Sequence, residues 1–340
     1  MSAGRRRISA ELEAAAITLL ATIAAGSVLM IFAGASPVDV WSRLITKTFG
    51  NEYGLGQVVF RATPLVFTAL AVSLPLRAGL VNIGGEGQMV VAALACAVVA
   101  AAIPAGTPSV LALPIALVAA AAAGGAVGAA TGALRVYRGA HEVIVAILLN
   151  EILAGVVLWL GNAWLFVGDA TRTAPVVAGA RFSELGITGS SASYSVVVAL
   201  LAAVAAGWVQ TRSLTGFRWR MIGAGPEAAH AAGIDVARQR VLAMAAAGAM
   251  AGLAGAHFVL GNTHAFEYGV GRNVGFMGIA VALLAQGRAA AILVSAIVFG
   301  ALGQGGIEVS QLVPKEMVDV LQAVVVIVTA AMLGRRRAGP

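Results

Sequence analysis

The chain has 340 residues, 60% of them apolar and 11% charged, with a mean hydropathy of +0.92 and a formal net charge of +7. A soluble domain is roughly 25% charged, so a water-facing fold of this size is excluded, and the lone Cys96 excludes an internal disulfide framework. Of the 22 basic residues 20 are Arg, set in short clusters at the ends of apolar runs without interleaved aromatics, which excludes a nucleic-acid groove and leaves a protein whose outer surface is membrane lipid.

Ten apolar runs follow one another, at roughly 13–34, 57–77, 83–103, 109–134, 141–167, 193–210, 237–261, 272–286, 289–306 and 316–334. Each is bounded by Gly, Pro or charge. The expected fold is all-α: a polytopic bundle of about ten transmembrane helices forming one domain over residues 1–340. Arg5-Arg6-Arg7 before the first run and Ala33-Gly34-Ala35 after it imitate a secretory signal. The run exceeds a signal's apolar stretch of roughly 7–15 residues, so a retained first helix is expected. The third run is interrupted near its start by Gly84, Gly85, Glu86 and Gly87, which predicts a broken helix. The eighth is short for a full crossing. Abundant Ala and Gly, roughly a third of the chain, suit close helix packing in lipid.

With the N-terminus inside, the inner loops hold Arg5, Arg6, Arg7, Arg77, Arg135, Arg138, Arg212, Arg218, Arg220, Arg238, Arg240, Arg288, Arg335, Arg336 and Arg337. The outer side holds Arg43, Lys47, Arg61, Arg172, Arg181, Arg272 and Lys315. That two-to-one bias places both termini in the cytoplasm. The outer segment 35–56 carries Trp41, Phe49 and Tyr53 and reads as an interfacial amphipathic helix. Segment 168–192 is polar and reads as a surface loop. The inner segment 211–236 reads TRSLTGFRWRMIGAGPEAAHAAGIDV. Pro226 suits a first helical turn, Gly233 a C-terminal cap, and Glu227 the positive end of the dipole. These predict a helix of about two turns, too short to stand alone. It packs on its own bundle or docks a cytoplasmic partner.

Catalytic motifs are missing. Lys47 and Lys315 are the only lysines and neither follows Gly, so no phosphate-binding P-loop exists. His141, His230, His257 and His264 show no metal-ligand spacing. His141-Glu142 reads as a helix-end pair. The expectation is a transport protein that is not an enzyme and binds no cofactor itself. Polar groups at membrane depth mark a pathway or a helix–helix contact. They are Glu86, Gln88, Asn150, Glu151, His257, Asn262 and Glu308, densest from Asn82 to Gln88. Asn82-Ile83-Gly84 is echoed by Asn273-Val274-Gly275, as repeats flanking a central site would produce. Candidate pathway residues are therefore Asn82, Glu86, Gln88, Asn150, Asn262 and Asn273. Candidate aromatics for stacking are Phe60, Trp159, Trp164, Phe166, Phe258 and Phe276. An ion-coupled secondary transporter would use Glu86 or Glu151 as its coupling carboxylate.

Three segments, PLRAGLVNIGGEGQ (75–88), HEVIVAILLNEI (141–152) and GFRWRMIGAGPEAAHAAGI (216–234), together resemble the membrane permeases of bacterial ABC importers. The branch is the one handling simple sugars, branched-chain amino acids and nucleosides. The N-I-G-x-E-G-Q element is most similar to nucleoside permeases, although His141 stands where Asn is expected. The resemblance implies an importer subunit of the bacterial inner (plasma) membrane, with nucleosides as cargo and ribose-like monosaccharides or branched-chain amino acids as alternatives. It implies three partners: a cytoplasmic ABC ATPase with two nucleotide-binding modules, where ATP binds; a second permease subunit, paralogous or identical; and an extracytoplasmic substrate-binding lipoprotein. It makes 211–236 a coupling loop to the ATPase, with Arg220, Gly223, Gly225, Pro226, Glu227 and Gly233 as coupling residues.

Overall fold

The computed structural model describes residues 20–338 apart from 169 and 315. The opening of the first apolar run and Arg5-Arg6-Arg7 lie outside the described residues. Within them the regular elements are helices: α1 (Leu20–Phe32), α2 (Pro37–Phe49), α3 (Glu52–Leu76), α4 (Gly85–Ala102), α5 (Ser109–Arg138), α6 (Glu142–Leu160), α7 (Ser195–Arg212), α8 (Leu214–Ala224), α9 (Pro226–Ala231), α10 (Val236–Phe258), α11 (Val274–Leu284), α12 (Ala289–Glu308) and α13 (Glu316–Ala338). α6 and α10 each end in a π-helical turn, Gly161–Leu165 and Val259–Thr263. Only isolated β-bridges occur among the described residues.

Within the described residues each of the ten apolar runs falls on a helix. Among the described residues seven helices are long and apolar enough to cross a membrane; Leu20–Phe32, Val274–Leu284 and Asp319–Val328 are shorter apolar helical stretches. The eleven residues of α11 rise only about 16 Å, half of a hydrocarbon core of about 30 Å. The expected interfacial segment forms α2, where Pro37 occupies the first turn and Ser36 Oγ accepts from Asp39 N.

The chain divides into two compact units, residues 1–61 with 297–340, and residues 62–296. In the first, Met30, Val40, Leu44, Val309 and Val313 form a small core. Trp41 Nε1 donates to Ser27 Oγ at 3.0 Å, tying α2 to α1. Arg61 Nε donates to Gln304 Oε1, and Gln304 Nε2 to Glu308 Oε1, both at 3.0 Å. Glu308 is thus engaged in a helix–helix polar chain.

The second unit is organised around α10. Its Met244, Gly248 and Gly252 face Gly124, Gly128 and Gly132 of α5, while Gly255 faces Met89 and Ala93 of α4. A methyl group on Gly248 would run into the carbonyl of Gly124, and one on Gly128 into that of Met244. Leaving lipid gives an apolar side chain little gain, so the two backbones pack by direct approach. The neighbouring core is correspondingly small-grained, with Ala92, Ala97, Ala112, Ala116, Ala120 and Ala256 all buried. Asp235 starts α10 by accepting from Arg238 N at 2.9 Å, and Gly139, at φ 67°, ends α5.

Gly248→Val should therefore overpack the seam and cost about 2 kcal/mol or more, read as a lower unfolding midpoint in detergent. Gly155→Ala, whose added carbon meets nothing within 4 Å, should leave the midpoint unchanged; equal behaviour of the two would refute the seam.

Candidate functional site

α3 ends at Leu76, the chain turns through Gly79 at φ 73°, runs without helical bonding from Leu80 to Ile83, and enters α4 at Gly85. Such a break at membrane depth must find internal partners for its backbone. Asn82 Oδ1 accepts from Gly84 N at 3.1 Å. The Asn82 and Gln88 amides exchange hydrogen bonds of 2.9 and 3.0 Å, and neither is exposed. Asn150 of α6 bridges the break: its Oδ1 accepts from Gly87 N at 2.9 Å and its Nδ2 donates to Ile83 O at 3.2 Å. Gly87 is required here, because a Cβ would sit 3.0 Å from Asn150 Cα.

Glu86 does something different. Its carboxylate accepts from Asn273 N at 2.8 Å and Gly275 N at 2.9 Å. It thereby caps the N-terminus of α11, where a negative charge meets the positive end of the helix dipole. Asn273 enters that helix at φ 70°, a conformation Asn tolerates better than most residues. Glu86, two residues beyond Asn82-Ile83-Gly84, thus reaches the second Asn-x-Gly element.

These elements wall a cavity of about 210 Å³. The first turns of α4 contribute Glu86, Val90 and Ala93; α6 contributes Asn150, Glu151 and Ala154; the end of α10 contributes Phe258, Val259 and Thr263. The connection to α11 adds Phe266, Glu267, Tyr268 and Arg272, and α11 adds Asn273 and Phe276. Carboxylates, amides and one guanidinium thus face a set of aromatic rings. Segment 168–192 is not a free loop. Thr173 N donates to Phe266 O (3.0 Å), Val176 N to His264 O (2.8 Å), Phe182 N to Leu260 O (2.8 Å), and Tyr268 N to Thr171 O (3.0 Å). It braces the 260–268 stretch of the cavity wall. Burial and the nearby Arg181 guanidinium hold the His264 imidazole below its ordinary range, favouring the neutral form there.

Of the residues singled out in the sequence, Glu86, Asn150 and Asn273 line the cavity, and so does Glu151. Asn82 and Gln88 are spent on each other behind the wall. Asn262, in the π-turn of α10, is not part of the lining. His257 Nδ1 lies 2.8 Å from Ser195 Oγ, which lies 2.8 Å from Ser193 Oγ, a buried polar chain. Phe258 and Phe276 face the cavity and Phe166 stacks on Phe266 behind it, whereas Trp159 and Trp164 meet edge to face on the exposed surface. Phe60 belongs to the other unit. Glu142 pairs with Arg135 at 3.1 Å rather than with His141. Sequence reasoning missed Glu267, Tyr268 and Arg272. Their signal was present in NTHAFEYGVGRN (262–273), a polar, glycine-punctuated stretch between two apolar runs.

Segment 211–236 holds two helices rather than one. Ser213 caps α8 by accepting from Gly216 N at 2.9 Å, and α8 buries Trp219 and Ile222. α9 begins with Pro226 and carries an exposed Glu227 in its first turn. Ile234 N donates to Ala229 O (3.0 Å) and Gly233 N to His230 O (2.9 Å), with Gly233 at φ 79°, a Schellman ending. Arg220 Nη1 donates to Gln210 O.

A family model described as the permease component of the branched-chain amino acid transport system matches residues 54–330. The chain belongs to that permease family. The guanosine ABC transporter permease protein of Bacillus subtilis (strain 168) is 35% identical over 93% of this chain and 92% of its own length. The glucose ABC transporter permease protein of Haloferax volcanii is 31% identical over 95% and 88%, and the nucleoside ABC transporter permease protein of Lactococcus lactis subsp. cremoris 27% over 88% and 85%. This permease is thus a multi-pass membrane protein and a transport subunit of the ABC importer class, in a family of transporters rather than enzymes.

Removing the Glu86 carboxylate as Glu86→Leu should strand two amides of α11 and cost about 1–3 kcal/mol. The check is the thermal midpoint of the purified permease, which should fall further for Glu86→Leu than for Glu86→Gln, where an acceptor oxygen remains.

Proposed function

We propose that this permease forms the membrane pathway for nucleosides in an ATP-driven importer of the bacterial inner membrane. The observation that carries the reading is the cavity chemistry. Glu151 and Glu267 offer acceptors for ribose hydroxyls and base amines, while Phe258, Tyr268 and Phe276 offer faces on which a base can stack. A guanosine and a nucleoside permease among the relatives support it. A second reading, a monosaccharide as cargo, is supported by the glucose permease and by the same carboxylates, which bind sugar hydroxyls without any need for ring stacking.

In this reading the energy comes from a separate ATPase chain with two nucleotide-binding modules, since this chain carries no P-loop. α8, α9 and the residues Arg220, Gly223, Gly225, Pro226, Glu227 and Gly233 form the cytoplasmic surface on which that ATPase acts. A second permease subunit completes the pathway, and a lipoprotein delivers the cargo from outside. ATP binding biases an equilibrium between outward- and inward-open states by contacting one of them better. The ion-coupled alternative would fall to Glu151 alone, because the Glu86 carboxylate is already engaged by two α11 amides.

Purified with the products of its genomic neighbours and reconstituted, the permease should take up tritiated guanosine only with ATP. Glucose in large excess should not compete. Tyr268→Ala and Phe276→Ala should each raise the KM for guanosine about tenfold, the effect of losing one stacking face. Uptake by this chain alone, without nucleotide, would overturn the proposal; competition by glucose would favour the sugar reading. Glu227→Arg should lower uptake by the complex while leaving membrane insertion intact.

A further inference from the structure

The turn between α3 and α4 holds α11 at both of its ends. At one end Glu86 accepts from Asn273 N and Gly275 N. At the other, Arg77 Nη2 donates to Gly287 O at 3.3 Å, in the turn that follows α11. Between them, Gly278 lies directly on Thr68 of α3, with no room for a Cβ. Three separate contacts therefore join the short helix to the chain from Thr68 to Glu86. The far end of α11 is also bent sharply: Gln286, at φ 52°, and Gly287, at φ 65°, both adopt left-handed backbone next to the carbonyl that Arg77 holds.

The same turn touches α8. The added carbon of any side chain at Gly223 would strike Arg77 O and approach Gly79 N to 3.5 Å, and a Cβ on Gly79 would lie 3.7 Å from Gly223 Cα. The two backbones are in direct contact at this point. Gln210 Nε2 donates to Ser73 Oγ at 3.2 Å, which joins α7 to the same end of α3, and Arg220 donates to Gln210 O, which ties α8 to α7. From Gly223 the path runs through Arg77–Gly79 to Glu86, Asn273 and Phe276, the last three of which line the cavity.

We propose that residues 68–86 and α11 form one rigid clamp, that α8 moves this clamp through the Gly223–Arg77 contact, and that Arg77 is the positioning residue that keeps the far end of α11 attached to it. The inference rests on reading α8 and α9 as the surface on which the ATPase acts. Displacement of α8 then reaches the cavity wall without having to reorganise the side chains in between. A bound cargo at Glu86, Asn273 and Phe276 biases α8 by the same amount in return, as linkage demands. Packed elements with discrete arrangements, rather than soft ones, pass small shifts in this way.

The test uses the complete importer in lipid nanodiscs and proteoliposomes. Arg77→Ala should leave ATP hydrolysis running while guanosine transported per ATP falls about tenfold, the effect of losing one charged hydrogen bond. The KM for guanosine should change by less than about twofold, because no cavity group is altered. Arg77→Lys, which keeps a donor, should restore most of the stoichiometry. Gly223→Ala, at the other side of the contact, should uncouple in the same way. Hydrogen exchange on the permease should show faster exchange at residues 283–289 in Arg77→Ala and not in Arg77→Lys. Unchanged stoichiometry in both Arg77→Ala and Gly223→Ala, in an importer whose uptake requires ATP, would overturn the clamp. Unchanged exchange at 283–289 would overturn the tether itself, with or without an ATPase present. Nucleotide-independent uptake by the unaltered complex would instead strike the importer reading, so the two failures are separable.

Discussion

The site depends on one constraint: a backbone group left unpaired in hydrocarbon is too costly to keep. The chain interrupts its helical bonding between Leu76 and Gly85. It can do so only because side chains supply what the helix no longer does. Asn82 takes Gly84 N, Asn150 takes Gly87 N and serves Ile83 O, and Gln88 satisfies what remains of Asn82. That spending decides which groups remain to meet a ligand. Asn82 has no capacity to spare, and it and Gln88 are buried outside the lining, whereas Glu151, Glu267 and Arg272 face the cavity.

α10 joins the packing to the chemistry. Its second half carries Gly248 and Gly252, which let α5 approach to backbone distance, and Gly255, which does the same for α4. Its last turns carry Phe258, Val259 and Thr263 into the cavity wall. Close packing along one stretch thus fixes the position of the aromatic and hydroxyl groups along the next. The brace formed by residues 171–182 then holds the stretch beyond the π-turn, including Phe266 and Tyr268.

What could be read from the sequence followed from length and periodicity. Apolar runs as long as 109–134 allow few structures, and all ten fall on helices. The interruption expected at Gly84 to Gly87 falls just before it: helical bonding lapses between Leu76 and Gly85, and Gly85 to Gly87 already form the first turn of α4, where Gly87 lets Asn150 approach. The partner of Glu86 was not legible. Asn273 lies 187 residues away, and only the Asn-x-Gly echo hinted at it. Amides are especially opaque: Asn82, Gln88, Asn150 and Asn262 look alike in sequence, yet two pair with each other, one bridges and lines the cavity, and one lies outside the lining. α8 was hidden because Gly216 and two arginines dilute its apolar pattern, although Ser213 marked its start. Arg77 counted only as a positive charge near a membrane face, since its acceptor is a backbone carbonyl that no pattern reveals.

α5 has a further consequence. Its 30 residues extend about 45 Å, well beyond the hydrocarbon thickness of most bilayers. Much of its surface, including Val110, Leu111, Val118 and Tyr137, is exposed. A helix of surplus length accommodates by leaning, and it leans further as the surrounding membrane thins. Because the glycine seam leaves no slack between α5 and α10, a change in lean cannot be absorbed at that joint and is carried into the helix that bears Phe258. Hydrophobic mismatch with the host lipid would therefore load this joint directly, which makes acyl-chain length a variable to control when the permease is reconstituted.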